Sequence, residues 1–249
     1  MNFRLATLNL EQDHKLWELR RELIVDQWAH LRPDFFAVNE IHVPEQTGRW
    51  LQRAARSRLD LAYSLVQQSK AGDDGAVQGE GLLARHPPIE TANLDYRSHD
   101  CVALVARFEL DRRLLDIYVT HLIAARVGES ARQHQVEQLL AWIAKRDDAD
   151  ATVVCGDFNA APDQPSVRLM AEVFQATQFA PTAFTPLRAQ DGTPTHPESP
   201  RFDRCIDYIW VKGKITVQAS GLCFNQPAAD EPHLWPSDHA GVWADLTLA

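Results

Sequence analysis

Short apolar runs that stop at polar residues alternate with segments of helical periodicity along this chain, and that alternation confines it to layered α/β architectures. Val153 to Pro162 shows the pattern most sharply. "VVC" stops at Gly156, and "GDFNAAP" then supplies a carboxylate (Asp157), a large apolar residue (Phe158) and an amide (Asn159). Asp157 and Asn159 are two apart, so in an extended segment they face the same side. Taken alone, "GDFN" is equally well a turn, because Gly, Asp and Asn are turn formers.

The same design recurs. Phe3 to Leu8 reads as a strand ending at Asn9. "FFAVNE" ends at Glu40, and "RLLDIYVTHL" delivers His121 at its end. Between these runs the spacing predicts helices at about Lys15–Leu31, with Leu16, Leu23, Ile24, Trp28 and Leu31 near one face, and at Pro44–Ser57, Glu129–Lys145 and Pro165–Phe174. "LAYSLV", "EGLLAR" and "CVALVARFEL" suggest a meander of strands between Leu61 and Thr120. "CIDYIWV", "ITVQASGL" and "HAGVWADLTL" close the chain as strands, after a long Pro- and Thr-rich loop. No composition break marks a linker in the 249 residues. The expectation is one domain, 1–249, in which two sheets pack together and helices cover the outside.

Strand ends are where sites are usually built in such folds. Asp207 lies inside the apolar run "CIDYIW", sharing a strand face with Cys205 and Ile209, and a semi-buried carboxylate needs a partner. "PSDH" puts Asp238 and His239 before the last strand. Each residue has a plain structural reading as cap, solvated end or core histidine, but all of those readings must hold at once. Asn9, Glu40, Asp157, Asn159 and Asp238 offer hard oxygen donors, which suit Mg²⁺ or Mn²⁺ rather than zinc. His121 and His239 add nitrogen for a phosphoryl oxygen or a proton transfer, and Asp207 would raise the basicity of His239.

The formal net charge of −9 argues against broad electrostatic capture of nucleic acid or anionic membrane, while leaving a local basic groove open. No run approaches a membrane span, and "MNFRLATLNL" lacks the apolar core of a signal peptide. Cys101, Cys155, Cys205 and Cys223 show no ligand spacing and read as reduced thiols of a cytoplasmic protein.

In order, the motifs "TLN", "NE", "GEGLLARHP", "THL", "GDFNA", "THPESPRFDRCIDYIWV" and "SDHAGVWADL" resemble those of the endonuclease/exonuclease/phosphatase superfamily, and specifically its deoxyribonuclease/sphingomyelinase-like members. The resemblance implies a four-layer α/β/β/α sandwich and a Mg²⁺-dependent phosphoesterase, with Mn²⁺ as the alternative ion. Glu40 would be the main metal ligand, helped by Asn9, with Asp238 as a second metal-side carboxylate. Asp157 and Asn159 would position nucleophile and phosphate. His239, paired with Asp207, would be general base or phosphate-stabilising acid, and His121 would hold the scissile phosphate. His196, where an aromatic residue is commoner, would line the substrate cleft unless it is a plain loop histidine.

Two further positions depart from the family pattern. Asn39 replaces the usual Gln before Glu40. Glu80 replaces an Asn between the glycines, and is either a partner for His121 or a solvated loop residue. Glu11 matches an acidic ligand of the apurinic endonuclease branch but reads as solvated. The expected partner is a phosphate ester of unspecified class, met by a monomer. A nuclease acting on DNA or RNA, and a non-catalytic binding module on the same scaffold, are the alternatives.

Overall fold

The computed structural model describes residues 1–11, 16–69, 78–184, 187–188, 194–195 and 202–249. His196, and Lys15 at the expected start of the first helix, lie outside them. The strands are β1 (Asn2–Asn9), β2 (Phe35–His42), β3 (Ser64–Ser69), β4 (Gln78–Ala84), β5 (Glu90–Asp95), β6 (Val102–Leu110), β7 (Arg113–His121) and β8 (Ala151–Asp157). After these come the short β9 (Gln175–Ala176), β10 (Ala183–Phe184), β11 (Leu187–Arg188), β12 (Pro194–Thr195) and β13 (Phe202–Arg204). β14 (Asp207–Gly213), β15 (Ile215–Cys223) and β16 (Gly241–Leu248) end the chain. The helices are α1 (Trp17–Leu31), α2 (Thr47–Leu59), α3 (Glu129–Ile143) and α4 (Pro165–Ala171).

Two six-stranded sheets form, in the orders β15-β16-β1-β2-β4-β3 and β5-β6-β7-β8-β14-β9. Both are mixed, because β1–β2 and β7–β8 run parallel while their neighbours are antiparallel. The expected meander is therefore shared between sheets: β3 and β4 join the first, β5 to β7 the second.

Strand alternation sorts each apolar run between two cores, which is why the runs are continuous rather than alternating. Phe3, Leu5, Leu82, Ile117, Val119, Val153, Cys155 and Ile209 meet between the sheets. Ala6, Leu8, Phe36 and Val38 turn outward against Trp17, Ile24, Trp28 and Leu51 of α1 and α2. Tyr118, Val154, Tyr208 and Trp210 turn outward against Val136, Leu139, Val167 and Met170 of α3 and α4. The layers are thus α/β/β/α, as expected.

Differences from the sequence reading are local. α1 begins at Trp17, and Leu16, expected on its buried stripe, is exposed. Its backbone is left-handed (φ 52°), so the side chain leaves the helical face. Trp17, Arg20 and Val25 line the buried side instead. α2 begins at Thr47 rather than Pro44, because residues 43–46 form a turn closed by Gln46 N–H to the Val43 carbonyl (3.0 Å).

Candidate functional site

Inner-face residues run in steps of two along each strand. Phe3, Leu5 and Thr7 lead to Asn9; Ile117 and Val119 lead to His121; Val153 and Cys155 lead to Asp157; Val211 and Ile209 lead to Asp207. Each series is apolar at mid-strand and polar at the same end of the sandwich. Asn9, His121, Asp157 and Asp207 are all buried there, in the space between the two sheets.

Glu40 reaches this space by a different route. Alternation after Phe36 and Val38 would send it outward to the helices. The β2–β4 register shifts between Val38 and Ile41, and Glu40 takes a left-handed backbone (φ 60°). Asn39 and Glu40 therefore both serve the inter-sheet end, and Ile41 returns to the outer core. Such a conformation is unfavourable for a non-glycine residue and concentrates at functional sites. Asn159 is also left-handed (φ 50°), a state asparagine tolerates well.

The side chains interlock. Asn9 Nδ2 donates to Glu40 Oε1 (3.1 Å) and Asp157 Oδ2 (3.2 Å), while Asn9 Oδ1 accepts the Glu11 N–H (3.0 Å). For Asn9 to offer its oxygen to a cation, the amide would have to turn over. His121 Nε2 lies 3.6 Å from Asp157 Oδ2 and 3.1 Å from Asn159 Nδ2. Its Nδ1 lies 3.9 Å from Glu40 and 3.8 Å from Glu80. Asn159 N–H donates to Asp157 Oδ1 (2.7 Å), closing the GDFN turn. Phe158 is fully buried against Tyr208 and anchors that turn. Asp207 Oδ2 and His239 Nδ1 are 2.8 Å apart, and His239 Nε2 faces Asp157 (3.9 Å) and Asp238 (3.9 Å). Asp238 is the half-exposed member.

Burial opposes the charged form of His239, but Asp207, Asp238 and Asp157 outweigh it and hold the imidazole pKa well above its ordinary value. Burial and the Asp207 charge push the Asp157 carboxyl up.

Two solvated readings are corrected. Glu80 is fully buried: alternation along Glu80, Leu82 and Ala84 places it on the inner face, where it receives a hydrogen bond from Asn39 and stands beside His121. Glu11 is ion-paired with Arg20 (3.3 Å) and nearly buried.

Several further residues hold the site together, in roles that no motif announced. Arg20, buried on α1, donates to the carbonyls of Leu10 (2.9 Å) and Pro236 (3.0 Å), clamping the end of β1 to the "PSDH" segment. Ser237 Oγ donates to the Asn9 carbonyl (2.6 Å) and accepts the His239 N–H (3.1 Å). Thr182 Oγ1 accepts the Asp207 N–H (3.2 Å), and its carbonyl accepts the Ala240 N–H (2.6 Å). Asn39 bridges the sheets, donating to the Thr120 carbonyl (3.1 Å) and accepting the Asp157 N–H (3.0 Å). It packs on Gly156 (φ 128°), where a Cβ would lie 2.9 Å from Asn39 Oδ1 and run into the Thr120 carbonyl. The one sequence cue for Arg20 was its place on the buried face of α1, where a charge calls for a partner.

The donor set fits a divalent cation. The carboxylates of Glu40, Glu80, Asp157, Asp207 and Asp238 converge on His121 and His239, and remain in excess even when both imidazoles are charged. Asp157, Asp207 and His239 also lie close enough to share an ion among themselves. Since His239 Nδ1 is engaged by Asp207, the oxygen-rich Glu40 side is the better cradle for a hard cation. A cavity of about 390 Å³ lined by Arg4, Asp34 and Asp245 lies at the opposite end of β1, and its Arg4–Asp245 pair is already closed (2.7 and 2.8 Å).

A four-layer sandwich with carboxylates, amides and paired histidines at one end defines a class: hydrolases acting on phosphate esters. The chain belongs to the endonuclease/exonuclease/phosphatase family, whose model matches residues 6–239. Solved structures with the same fold include the human Nocturnin catalytic domain with bound sulfate anion. It is 22% identical at a TM-score of 0.75, over 100% of this chain and 94% of that one. An endonuclease/exonuclease/phosphatase from Bacteroides vulgatus is 17% identical, with a TM-score of 0.78 over all of both chains. D. rerio TDP2 complexed with single strand DNA product is 15% identical, with a TM-score of 0.74 over 99% of each. No curated protein matches the chain.

Proposed function

We propose that the protein is a Mg²⁺-dependent phosphoesterase, Mn²⁺ being the alternative ion, in which water displaces the alcohol of a phosphodiester or phosphomonoester. The observation that carries this reading is the opposition, across one small space, of the His239–Asp207 pair and the Glu40–Asn9–Asp157 cluster. Glu40 would hold the cation with Asp238, and with Asn9 once its amide is turned. A cation bound there would neutralise phosphate charge and favour the attacking hydroxide.

The chain's own groups do the rest. Asp157, with its raised carboxyl pKa, is the better acceptor for the proton of the attacking water. Asn159, tied to Asp157 and next to His121, sets the direction of attack. His239, kept cationic by Asp207, donates Nε2–H to a phosphoryl oxygen, which selects the acid of the two roles open to it. His121, flanked by Glu40, Glu80 and Asp157, faces the same phosphate. Occupancy of every expected position among the described residues speaks against a non-catalytic module, and the sulfate and DNA ligands of the related structures are in keeping with a phosphate ester. We read the chain as one domain and a monomer. No helix of the described residues is long and apolar enough to cross a membrane, and the free cysteines accord with the cytoplasm.

The test is a Mg²⁺ and Mn²⁺ titration with a chromogenic phosphodiester. In Glu40→Gln the half-saturating metal concentration should rise tenfold or more, and the metal-induced rise in Tm should disappear. Unchanged metal activation in that variant, or no turnover with either metal across a broad panel of phosphate esters, overturns the reading.

A further inference from the structure

The net charge of −9 is distributed unevenly. Helix α2, TGRWLQRAARSRL, contains no acidic residue. Arg49, Arg53 and Arg56 are all exposed, and their i, i+4, i+7 spacing puts them on one face as a single stripe. Among the described residues none pairs with these arginines, whereas the neighbouring Arg58 is held by Glu22 and lies over Trp50. Arg21 covers that same ring (4.7 Å). The stripe spans about 10 Å at ~1.5 Å of rise per residue. It starts beside the strand end that carries Glu40 and runs toward the far end of the sandwich, where Arg32 reaches the Leu59 carbonyl (3.3 Å). Asp60 closes it there, and Glu45, which faces His42 (3.9 Å), precedes it.

An acidic chain that keeps an unpaired row of arginines next to its phosphoester site invites the question of what the row meets. A lipid surface would call for apolar side chains between the charges. The exposed positions of α2 carry arginine and serine, and the exposed large apolar residues lie on other elements. A protein interface would call for a desolvated aromatic or aliphatic centre, and Trp50, the one aromatic ring of α2, is half-buried under Arg21 and Arg58. Guanidinium groups alone, spaced about one helical turn apart, match a row of phosphates. We infer that the Arg49–Arg53–Arg56 face of α2 is a docking rail for a nucleic-acid backbone, which passes the site and then runs down the outer face of the helix. This rests on the phosphoesterase reading and assigns that site a polymeric substrate.

The test uses the full chain and a fluorescein-labelled single-stranded oligodeoxynucleotide in EDTA, followed by anisotropy over a salt series. Its comparison is the triple variant Arg49→Gln/Arg53→Gln/Arg56→Gln, whose substitutions lie on an exposed face. The variant should bind at least tenfold more weakly at low salt. Its plot of log K against log salt should flatten by roughly 2, at about 0.7 for each single-strand phosphate that an arginine no longer neutralises. With Mg²⁺, the variant should cleave the oligonucleotide more slowly and hydrolyse the small chromogenic diester as the parent does. Equal affinity and slope in parent and variant overturn the rail. So does arginine-dependent binding to phosphatidylserine vesicles without binding to DNA. DNA binding that depends on the arginines, in a protein that hydrolyses no phosphate ester, sinks the phosphoesterase reading and leaves the rail standing.

Discussion

Replacing Asp207 with Asn removes a charge while keeping a shape. The residue is 1% exposed, its backbone N–H is fixed on Thr182 Oγ1 (3.2 Å), and its carboxylate lies 2.8 Å from His239 Nδ1. Two unit charges about 4 Å apart interact by roughly 4 kcal/mol at an effective dielectric constant near 20. That attraction favours the imidazolium, so losing Asp207 should lower the His239 pKa. The sign follows from the form that acts. A pKa raised in the folded enzyme keeps His239 protonated up to high pH, and activity that needs the imidazolium is lost as pH rises through that value. In Asp207→Asn the alkaline limb of kcat/KM should therefore move to lower pH. The rate at neutral pH should fall by about 10²–10⁴, the range for a positioned acid–base group, because the amide no longer holds the imidazole as a cation and a neutral ring gives a weaker Nε2–H. The assay is a pH–rate profile with the chromogenic diester at saturating Mg²⁺, alongside the Tm. A wild-type alkaline limb in a folded Asp207→Asn protein would refute the pairing as a source of catalysis.

Other consequences are equally direct. Arg20→Met takes this cation away from the nearly buried Glu11 and should cost about 3–5 kcal/mol, read from urea unfolding. Arg20→Lys keeps the charge but cannot hold the Leu10 and Pro236 carbonyls together, so kcat should drop about tenfold with little change in KM; an unchanged kcat would show that the clamp does not position His239. Gly156→Ala forces a Cβ toward the Thr120 carbonyl at φ 128° and should destabilise by more than about 3 kcal/mol, with Tm as the measure. Asp150, hydrogen-bonded to Lys214 and the Leu114 N–H, has its carboxyl held down to about 2. A depressed pKa contributes stability above about pH 4 that is lost as pH falls toward 2. Asp150→Asn should remove that acid-side dependence, and urea midpoints with the same slope from pH 5 to pH 2 in both proteins would contradict it.

Much of the site was legible because a strand has a period of two. Once Ile209 and Val153 are taken as core, Asp207 and Asp157 must face the same interior from the strand ends. The same rule applied to Glu80, Leu82 and Ala84 makes Glu80 a buried partner of His121, so its solvated reading was a missed inference rather than a missing signal. Glu11 is different: its cation, Arg20, comes from a helix whose buried face alternation in β1 does not specify.

The chain order of apolar and polar residues, by itself, determined the layers, the strands and the polar ends, because burial on two faces demands continuous apolar runs and a charged strand end demands a partner. The tertiary structure alone decided how those ends meet. A register shift and a left-handed Glu40 turn a side chain that alternation would send to the helices into the space between the sheets. Asn39 on one sheet holds the backbone of Asp157 on the other, and Arg20 ties β1 to the segment bearing His239. These bonds join residues far apart in the chain, and nothing local encodes them. Only the closing of one sheet on the other brings their donors and acceptors within hydrogen-bonding distance.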